Sequence, residues 1–149
     1  MQKKIEIPIC VKSGGTIPRY SSKDASGADL YAAIEEKILL KPQESILIPT
    51  KISVEIPEGF EMQIRPRSGL ALQYGITVLN TPGTIDADFR GEIGVILINH
   101  GKIPFEIVPK MRIAQMVLSP ICQALFVEKE HVAISERGEG GFGHSGLLG

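Results

Sequence analysis

The 149-residue chain lacks any apolar stretch that approaches the roughly 20 residues of a membrane-spanning helix. Its N-terminus carries lysines, but neither an apolar core nor the small-residue pattern of a signal-peptide cleavage site. The formal net charge is −1, so no molecule-wide field favours nucleic acid or an anionic membrane. We therefore expect a cytoplasmic protein without nucleic-acid or membrane partners, in which a local cluster holds any bound anion.

Cysteine is also scarce, and the familiar nucleophile and metal motifs are missing. Cys10 and Cys122 lie in apolar, strand-like surroundings without CxxC or Cys/His spacing, which predicts buried free thiols and no disulfide or zinc site. The chain has no Walker P-loop and no GxSxG sequence, and its three histidines show no ligand spacing. Any chemistry would therefore depend on carboxylates, water and, if required, a metal ion.

Short runs of β-branched and aliphatic residues, separated by proline and glycine turns, dominate the chain. They predict strands over residues 4–11, 38–40, 45–48, 52–56, 60–64, 76–79, 104–108, 113–118 and 121–127. Pro8 has no amide hydrogen to donate, so the first strand is expected at a sheet edge. Residues 70–74 allow one helical turn, but no helical period persists over three turns. We expect a single all-β domain over residues 1–149, a jelly-roll-like distorted barrel or sandwich whose core spans residues 1–135.

The segment NTPGTIDADFRGEIGVILIN, residues 80–99, combines turn residues, two acids, an aromatic ring and an apolar run. This pattern predicts a β-hairpin with Asp86, Asp88 and Phe89 at an exposed tip and a second arm that enters the core. Such crowding of charge favours a functional site, although these are also ordinary hairpin-loop residues. Residues 95–98 are apolar at successive positions, so both faces of this arm should be covered, and a homo-oligomer would cover one of them.

Three further clusters allow both a functional and a structural interpretation. Arg67, Ser68 and Gly69 offer a guanidinium, a hydroxyl and an open amide to a phosphate, or they form a polar turn. Gln115 lies inside an apolar strand, where its amide makes a structural hydrogen bond or holds a water in a site. Asp29 stands among small residues, where it caps a turn or binds a metal.

The C-terminal segment, residues 136–149, is rich in glycine and has no core-forming pattern. It contains GxGxxG twice, but without the following helix that dinucleotide binding requires. Disorder is the simplest prediction for such a terminus. Arg137 and Phe142 favour instead a flexible lid that orders over an anionic, planar ligand, because the arginine offers forked donors and the glycines expose amides.

Taken together, these clusters resemble the five ordered motifs of the homotrimeric dUTP diphosphatases (dUTPases). The matching segments are ASGADLYA (25–32), RPRSGLA (65–71), LNTPGTIDADFRGEIGVILIN (79–99), KMRIAQM (110–116) and RGEGGFGHSG (137–146). The resemblance implies a jelly-roll-like subunit, a homotrimer with active sites at subunit interfaces, and Mg²⁺-dependent hydrolysis of dUTP to dUMP and pyrophosphate. That reaction would keep uracil out of DNA and supply dUMP for dTMP synthesis.

The resemblance also implies catalytic and phosphate-binding roles by position. Asp86 would be the general base that activates the attacking water, and Gln115 would help to order that water. Asp29 would hold Mg²⁺ through bound waters. The triphosphate would be contacted by Arg67, Ser68, Gly69 and Gln115.

The remaining implied roles concern the nucleoside and the lid. Uracil would be recognised by Asn80 and by the backbone of residues 83–88, with Phe89 beneath the deoxyribose; the backbone contacts include Gly83, Thr84 and Ile85. In the lid, residues 136–149, Arg137 would reach the γ-phosphate and Phe142 would cover the base. Gly143 and Ser145 would close on the phosphates.

Three positions depart from the usual family pattern, and two other functions stay open. Phe89 stands where tyrosine is usual, His-Ser at 144–145 where Ser-Thr or Ser-Ser is common, and Lys-Met at 110–111 where Gly-Asp is frequent. The alternatives are a dCTP deaminase, which shares the fold, and a non-catalytic nucleotide-sensing or protein-binding trimer. The arginine-phenylalanine tail and the IDADFRG sequence favour the diphosphatase over the deaminase. The intact acids at positions 29 and 86 favour catalysis.

Overall fold

A computed structural model describes residues 4–146, which form twelve β-strands and one α-helix. The strands are β1 (Ile9–Val11), β2 (Arg19–Tyr20), β3 (Ala28–Tyr31), β4 (Ile38–Leu40), β5 (Ser45–Pro49), β6 (Ile52–Val54), β7 (Phe60–Arg65), β8 (Ile76–Val78), β9 (Gly83–Ile85), β10 (Gly94–Asn99), β11 (Phe105–Ile107) and β12 (Arg112–Pro120). The helix, α1 (Ser68–Tyr74), lies between β7 and β8.

Two antiparallel sheets form the body of the molecule. The larger has the strand order β2-β3-β12-β7-β9 and the smaller the order β5-β10-β8, while β1-β6 and β11-β4 are two-stranded ribbons. Side chains alternate along a strand, so β7 buries Met62 and Ile64 and β10 buries Val95 and Leu97. These four side chains belong to one apolar cluster that joins the two sheets as a sandwich. The predicted all-β, jelly-roll-like fold is confirmed.

The helix is longer than the single turn predicted for residues 70–74. It ends at Gly75, whose φ of 70° and N–H bonds to the carbonyls of Ala71 and Leu70 close the last turn. A side chain at Gly75 would also meet the backbone nitrogen of Gly101 at 2.6 Å. Within residues 4–146, no helix is long and apolar enough to cross a membrane.

The segment of residues 80–99 is not the predicted hairpin, because its two strands lie in different sheets. β9 pairs with β7, with Ile85 opposite Met62, whereas β10 pairs with β5 and β8. The connection between them, residues 86–93, crosses from the larger sheet to the smaller one. β10 finds a partner on each side in the smaller sheet, which a hairpin with β9 would not provide. The acids and the ring therefore lie on a crossover loop at the edge of the sandwich.

The strand predicted over residues 121–127 is wrong. The Ile121 N–H still donates to the Gly59 carbonyl at 2.9 Å, but Leu125 and Phe126 are about nine-tenths exposed. From residue 121 to 146 the chain has no strand, so the last strand of the described residues ends at Pro120. The apolar alternation of this segment has no neighbouring strand to pair with in the described chain.

Both cysteines are free thiols, but the prediction that they are buried is wrong. Cys10 lies on β1, whose three residues are all exposed. Its strand forms an edge ribbon with β6 directly after Pro8, as the proline indicated. Cys122 lies just beyond the end of β12, where the chain has left the sheet.

Candidate active site

A groove opens between β9 with its following loop and the outer face of β5 and β10. Its volume is about 440 Å³, within the range of pockets that accept small ligands. Most of its lining is apolar, with a few polar groups at one side. The lining residues are Leu47, Pro49, Ile64, Val78, Asn80, Gly83, Thr84, Ile85, Asp86, Phe89, Glu92, Ile93, Gly94 and Ile96.

β9 forms one wall of the groove and presents its backbone there. It is the last strand of the larger sheet, so one edge is bonded to β7 and the other has backbone donors and acceptors without a strand partner. Asn80 is exposed beside it, and a side chain at Gly83 would lie 3.4 Å from the Asn80 amide nitrogen. The Asn80 amide therefore lies close to β9, and the wall can form hydrogen bonds with a planar polar ligand.

Asp86 and Phe89 lie where β9 runs into the crossover loop. Asp86 is exposed, and among the described residues its carboxylate has no ion pair and no side-chain hydrogen bond. The Phe89 N–H donates to the Asp86 carbonyl at 3.2 Å, which closes a turn and brings the ring to the same side of the groove. A free carboxylate beside an aromatic wall can accept a proton from a water held over a bound ligand.

A second cluster lies around the buried carboxylate of Asp29 on β3. Arg67 Nε lies 3.3 Å from Asp29 Oδ1, and Arg112 Nη1 lies 3.3 Å from Asp29 Oδ2. Arg67 Nη1 also donates to the Arg112 carbonyl at 3.2 Å, so the three residues form one network. Asp29 is part of a strand, and the alternative of a turn cap is therefore wrong. The network fixes two guanidinium groups close together, as an anion site requires.

Gln115 and the start of α1 border this ionic network. Gln115 lies opposite Asp29 in the register of β12 and β3, and its Nε2 donates to the Pro66 carbonyl at 3.0 Å. The structural hydrogen bond considered for this amide is thus present. Ser68 and Gly69 begin α1, where backbone N–H groups have no partner within the helix, and nothing lies within 4 Å of the space above Gly69.

The two clusters are separate within one chain. Asn80, Gly83, Thr84, Ile85, Asp86 and Phe89 are brought together at the groove, whereas Asp29, Arg67, Ser68, Gly69 and Gln115 meet elsewhere and line no part of it. β12 and β7 separate β3 from β9 in the larger sheet. Within a single chain, the groove and the Asp29 cluster are therefore two distinct places.

The C-terminal candidate residues line no part of the groove and form no described hydrogen bond with the Asp29 cluster. Arg137 Nε donates to the Gly140 carbonyl at 2.8 Å, and successive turns follow, closed by backbone bonds to Arg137, Gly141 and Gly143. Phe142 is fully exposed, and Ser145 is exposed as well. The segment has polar groups and a ring available for a partner that the described chain does not itself provide.

Arg112 belongs to this ionic network but was not selected from the sequence. A register shift in β12 between residues 112 and 114 brings Arg112 opposite Tyr31 while Gln115 lies opposite Asp29. Without that bulge, residues three apart would point to opposite faces of the strand. The motif containing KMRIAQM was the available signal, but it does not reveal a bulge.

Leu47 was also missed, and it forms part of the groove floor. Its side chain lies over Gly94, where an added methyl would meet Leu47 Cδ1 at 2.6 Å. Although it is apolar, Leu47 is 63% exposed. An exposed apolar residue of this kind has no signature in a strand sequence.

Comparison with known proteins gives a consistent result over nearly the whole chain. The family model described as dUTPase matches residues 14–146. A deoxyuridine 5′-triphosphate nucleotidohydrolase from Chlamydia pneumoniae is 64% identical over 135 residues, which cover 90% of this chain and 93% of the relative. A protein of the same name from Fusobacterium nucleatum is 49% identical over 144 residues, covering 97% and 99% of the two chains.

A solved structure agrees with the fold described above. The dUTPase of Staphylococcus bacteriophage 80alpha, with dUpNHpp bound, superposes with a TM-score of 0.88 at 26% identity. The match covers 97% of this chain and all of the phage chain. The likeness therefore includes the sandwich and the segment beyond it.

Proposed function

The chain belongs to the dUTPase family and is a dUTP diphosphatase, and we propose that its Asp86 is the general base of water attack on the α-phosphorus. The observation that carries the proposal is the free Asp86 carboxylate at the end of a strand edge that lines the groove. Hydrolysis of a phosphoanhydride needs a water in line with the phosphorus and a base within hydrogen-bond reach. Asp86 would take the proton while dUMP and pyrophosphate separate.

Uracil would lie against β9 in the groove. The backbone of Gly83, Thr84 and Ile85 supports this role, because its N–H and C=O groups occur in a fixed order that cytosine would mismatch. An unmatched buried polar group costs roughly 1–3 kcal/mol. Asn80 would add a side-chain contact, and Phe89 would lie beneath the deoxyribose.

The triphosphate would bind at the second cluster. Arg67 is held by Asp29 and by the Arg112 carbonyl, which supports a preset position over phosphate oxygens. Ser68 and Gly69 would add a hydroxyl and open amides, and Gln115 would orient the attacking water.

The described residues suit an Mg²⁺ ion that arrives with the nucleotide. No group of three or more His, Cys, Asp or Glu side chains occurs within residues 4–146, so the protein alone provides no cage for an ion. Both Asp29 oxygens already lie against guanidinium nitrogens. Asp29 would therefore contact Mg²⁺ through bound waters, several of which Mg²⁺ usually keeps. When bound, Mg²⁺ would supply positive charge over the phosphate oxygens.

A homotrimer would join the two half-sites. The separation of the groove from the Asp29 cluster supports this, because the base and the triphosphate of one nucleotide must meet both. In a threefold assembly, the groove of one subunit would face the phosphate cluster of its neighbour. The exposed Leu125 and Phe126 also favour an assembly over an isolated chain.

The C-terminal lid would complete the site. Arg137 would reach the γ-phosphate, Phe142 would cover the uracil, and Gly143 and Ser145 would close on the phosphates. The complete exposure of Phe142 supports a segment that becomes ordered only when a ligand binds.

The Asp86→Asn substitution tests the proposed base. We expect kcat for pyrophosphate release from dUTP to fall by about 10²–10⁴-fold, since the amide cannot accept the proton. Binding of a non-hydrolysable dUTP analogue should persist. The Asp88→Asn variant is the matched control, because its side chain lies in the same loop but does not line the groove. Equal losses in both variants would exclude a specific role for Asp86.

A comparison of hydrolysis rates on four nucleotides tests the specificity for dUTP. Wild-type protein with Mg²⁺ should release pyrophosphate from dUTP and much more slowly from UTP, dCTP and dTTP. Equal rates on all four nucleotides would contradict recognition through β9. Ammonia release from dCTP would instead support the deaminase, and tight dUTP binding without turnover would support a nucleotide sensor.

A further inference from the structure

The Phe89 ring folds back over the residue two positions after it in the groove wall. A methyl group at Gly91 would lie 2.6 Å from Phe89 Cζ and 2.9 Å from Cε2. Both distances are far below ordinary carbon–carbon contact. The ring is nevertheless 41% exposed and lines the groove beside Asp86. The missing side chain at position 91 therefore determines how deeply the ring lies.

Arg90 holds the backbone of the same loop. Its Nη1 donates to the Ala87 carbonyl at 2.6 Å and to the Phe89 carbonyl at 3.1 Å. The guanidinium thus spans the turn that the Phe89 N–H closes on Asp86. Arg90 lines a different groove, beside Cys10, and not the one that contains Asp86 and Phe89. Its contacts with this loop are therefore contacts with the main chain.

We propose that Arg90 and Gly91 are positioning residues that set the discrimination between deoxyribose and ribose. The inference rests on the proposed function, in which Phe89 lies beneath the deoxyribose. A ring held at one depth leaves room for hydrogen at C2′ and none for a hydroxyl. A ring displaced by about 1 Å loses up to about half of its dispersion attraction to the deoxy sugar. Binding of dUTP is then weakened more than binding of UTP, because the ribonucleotide did not make that contact with the ring.

The Gly91→Ala variant tests this role. We expect the ratio of kcat/KM for dUTP to kcat/KM for UTP to fall by about tenfold or more, mainly through a higher KM for dUTP. In a Phe89→Ala background the same substitution should change the ratio by less than about twofold, because the displaced ring is absent. An unchanged ratio in the single variant, or an equal change in both backgrounds, overturns the proposal for Gly91.

Arg90 is tested by two variants that differ in hydrogen-bonding capacity. Arg90→Met keeps the aliphatic stem but removes both donors, so the substrate ratio should fall in the same direction. Arg90→Lys retains an ammonium that can donate to the carbonyls, and it should recover a substantial part of the loss. Identical ratios in the two variants would contradict a role for the hydrogen bonds. Should Arg90→Met fail to fold, Arg90→Gln replaces it, and a wild-type substrate ratio in that variant would overturn the role proposed for Arg90.

Wild-type kinetics separate this inference from the proposed function. If the wild-type protein hydrolyses dUTP and UTP at the same rate, the proposed sugar selectivity itself fails. If the wild type is selective and the variants keep its ratio, only the positioning roles of Arg90 and Gly91 fail.

Discussion

Gly27 leaves the space that Gln115 occupies. A side chain at Gly27 would lie 3.0 Å from both Cβ and Cδ of Gln115, and closer still to its amide oxygen. Gly27→Ala should therefore move the amide off the Pro66 carbonyl and away from the attacking water. Misplacement of about 1 Å can cost roughly 10²-fold in rate, and we expect kcat for dUTP to fall by that order.

Steady-state kinetics and thermal unfolding check this prediction together. The KM for dUTP should change little if the amide orients the attacking water, as proposed. Adding Gly27→Ala to a Gln115→Ala variant should cost almost nothing further. A Gly27→Ala protein with wild-type kcat would show that the Gln115 position does not matter.

Asn99 supports the fold and not the site. It is fully buried, its Nδ2 donates to the carbonyls of Leu40 and Ile103 at 2.9 Å, and its Oδ1 accepts from the Gly101 N–H at 2.7 Å. Asn99→Ala leaves these backbone groups without partners, which should cost about 2–4 kcal/mol in the free energy of unfolding. Denaturant unfolding at one protein concentration measures the loss.

The same substitution at Asn80 is the control for stability. Asn80 is exposed, so Asn80→Ala should leave the free energy of unfolding within about 0.5 kcal/mol of wild type. Similar losses in both variants would contradict the structural role of Asn99.

Individual residues show how far the sequence can lead at this scale. Asp86 and Phe89 could be selected because charge and an aromatic ring stand out at a turn. Arg112 could not, because its orientation depends on a bulge in β12. Gly91 could not either, since a glycine in a loop gives no sign that a ring lies over it.

At the scale of elements, the C-terminal segment is the simplest to test. Residues 121–146 contain no strand and are exposed except at Gly140. A chain truncated after Glu136 should therefore fold and assemble as wild type does, yet lose most of its dUTP hydrolysis. Circular dichroism, light scattering and pyrophosphate release measure the three properties.

A chain ending at Gly146 is the control for truncation, because it retains every tail residue with a proposed role. It should keep wild-type activity. Normal turnover by the chain ending at Glu136 would reject the lid.

Strand positions were predicted well, and strand partners were not. Short apolar runs located β4 and most of β5, β7 and β12, because each of these strands buries apolar side chains in the core. The predicted hairpin failed because proximity in sequence does not decide which sheet completes β10. The strand expected at 121–127 failed because the pattern shows a tendency to pair but not an available partner.

At the scale of the whole molecule, the two half-sites predict complementation between inactive proteins. Asp86→Asn lacks the base and Arg67→Met lacks a phosphate contact, so each should be inactive alone. When they are unfolded together and refolded, half of the subunits carry Asp86 and half of their neighbours carry Arg67. About a quarter of wild-type activity should therefore return if each site joins two subunits of a closed ring.

Refolding each variant separately before mixing is the control. It should give no recovery as long as subunits do not exchange. If both residues served a site within one chain, the refolded mixture would stay inactive as well, and the proposed interface sites would be rejected.

The free edge of β9 has a consequence for inheritance. A preference for one base that depends on backbone N–H and C=O groups does not depend on which side chains the strand carries, because every amino acid except proline has both groups. If β9 selects the base as proposed, exposed Thr84 can be replaced by valine or serine without a change in that selection. A change in base preference would then require a change in the backbone conformation of β9, which few single substitutions produce.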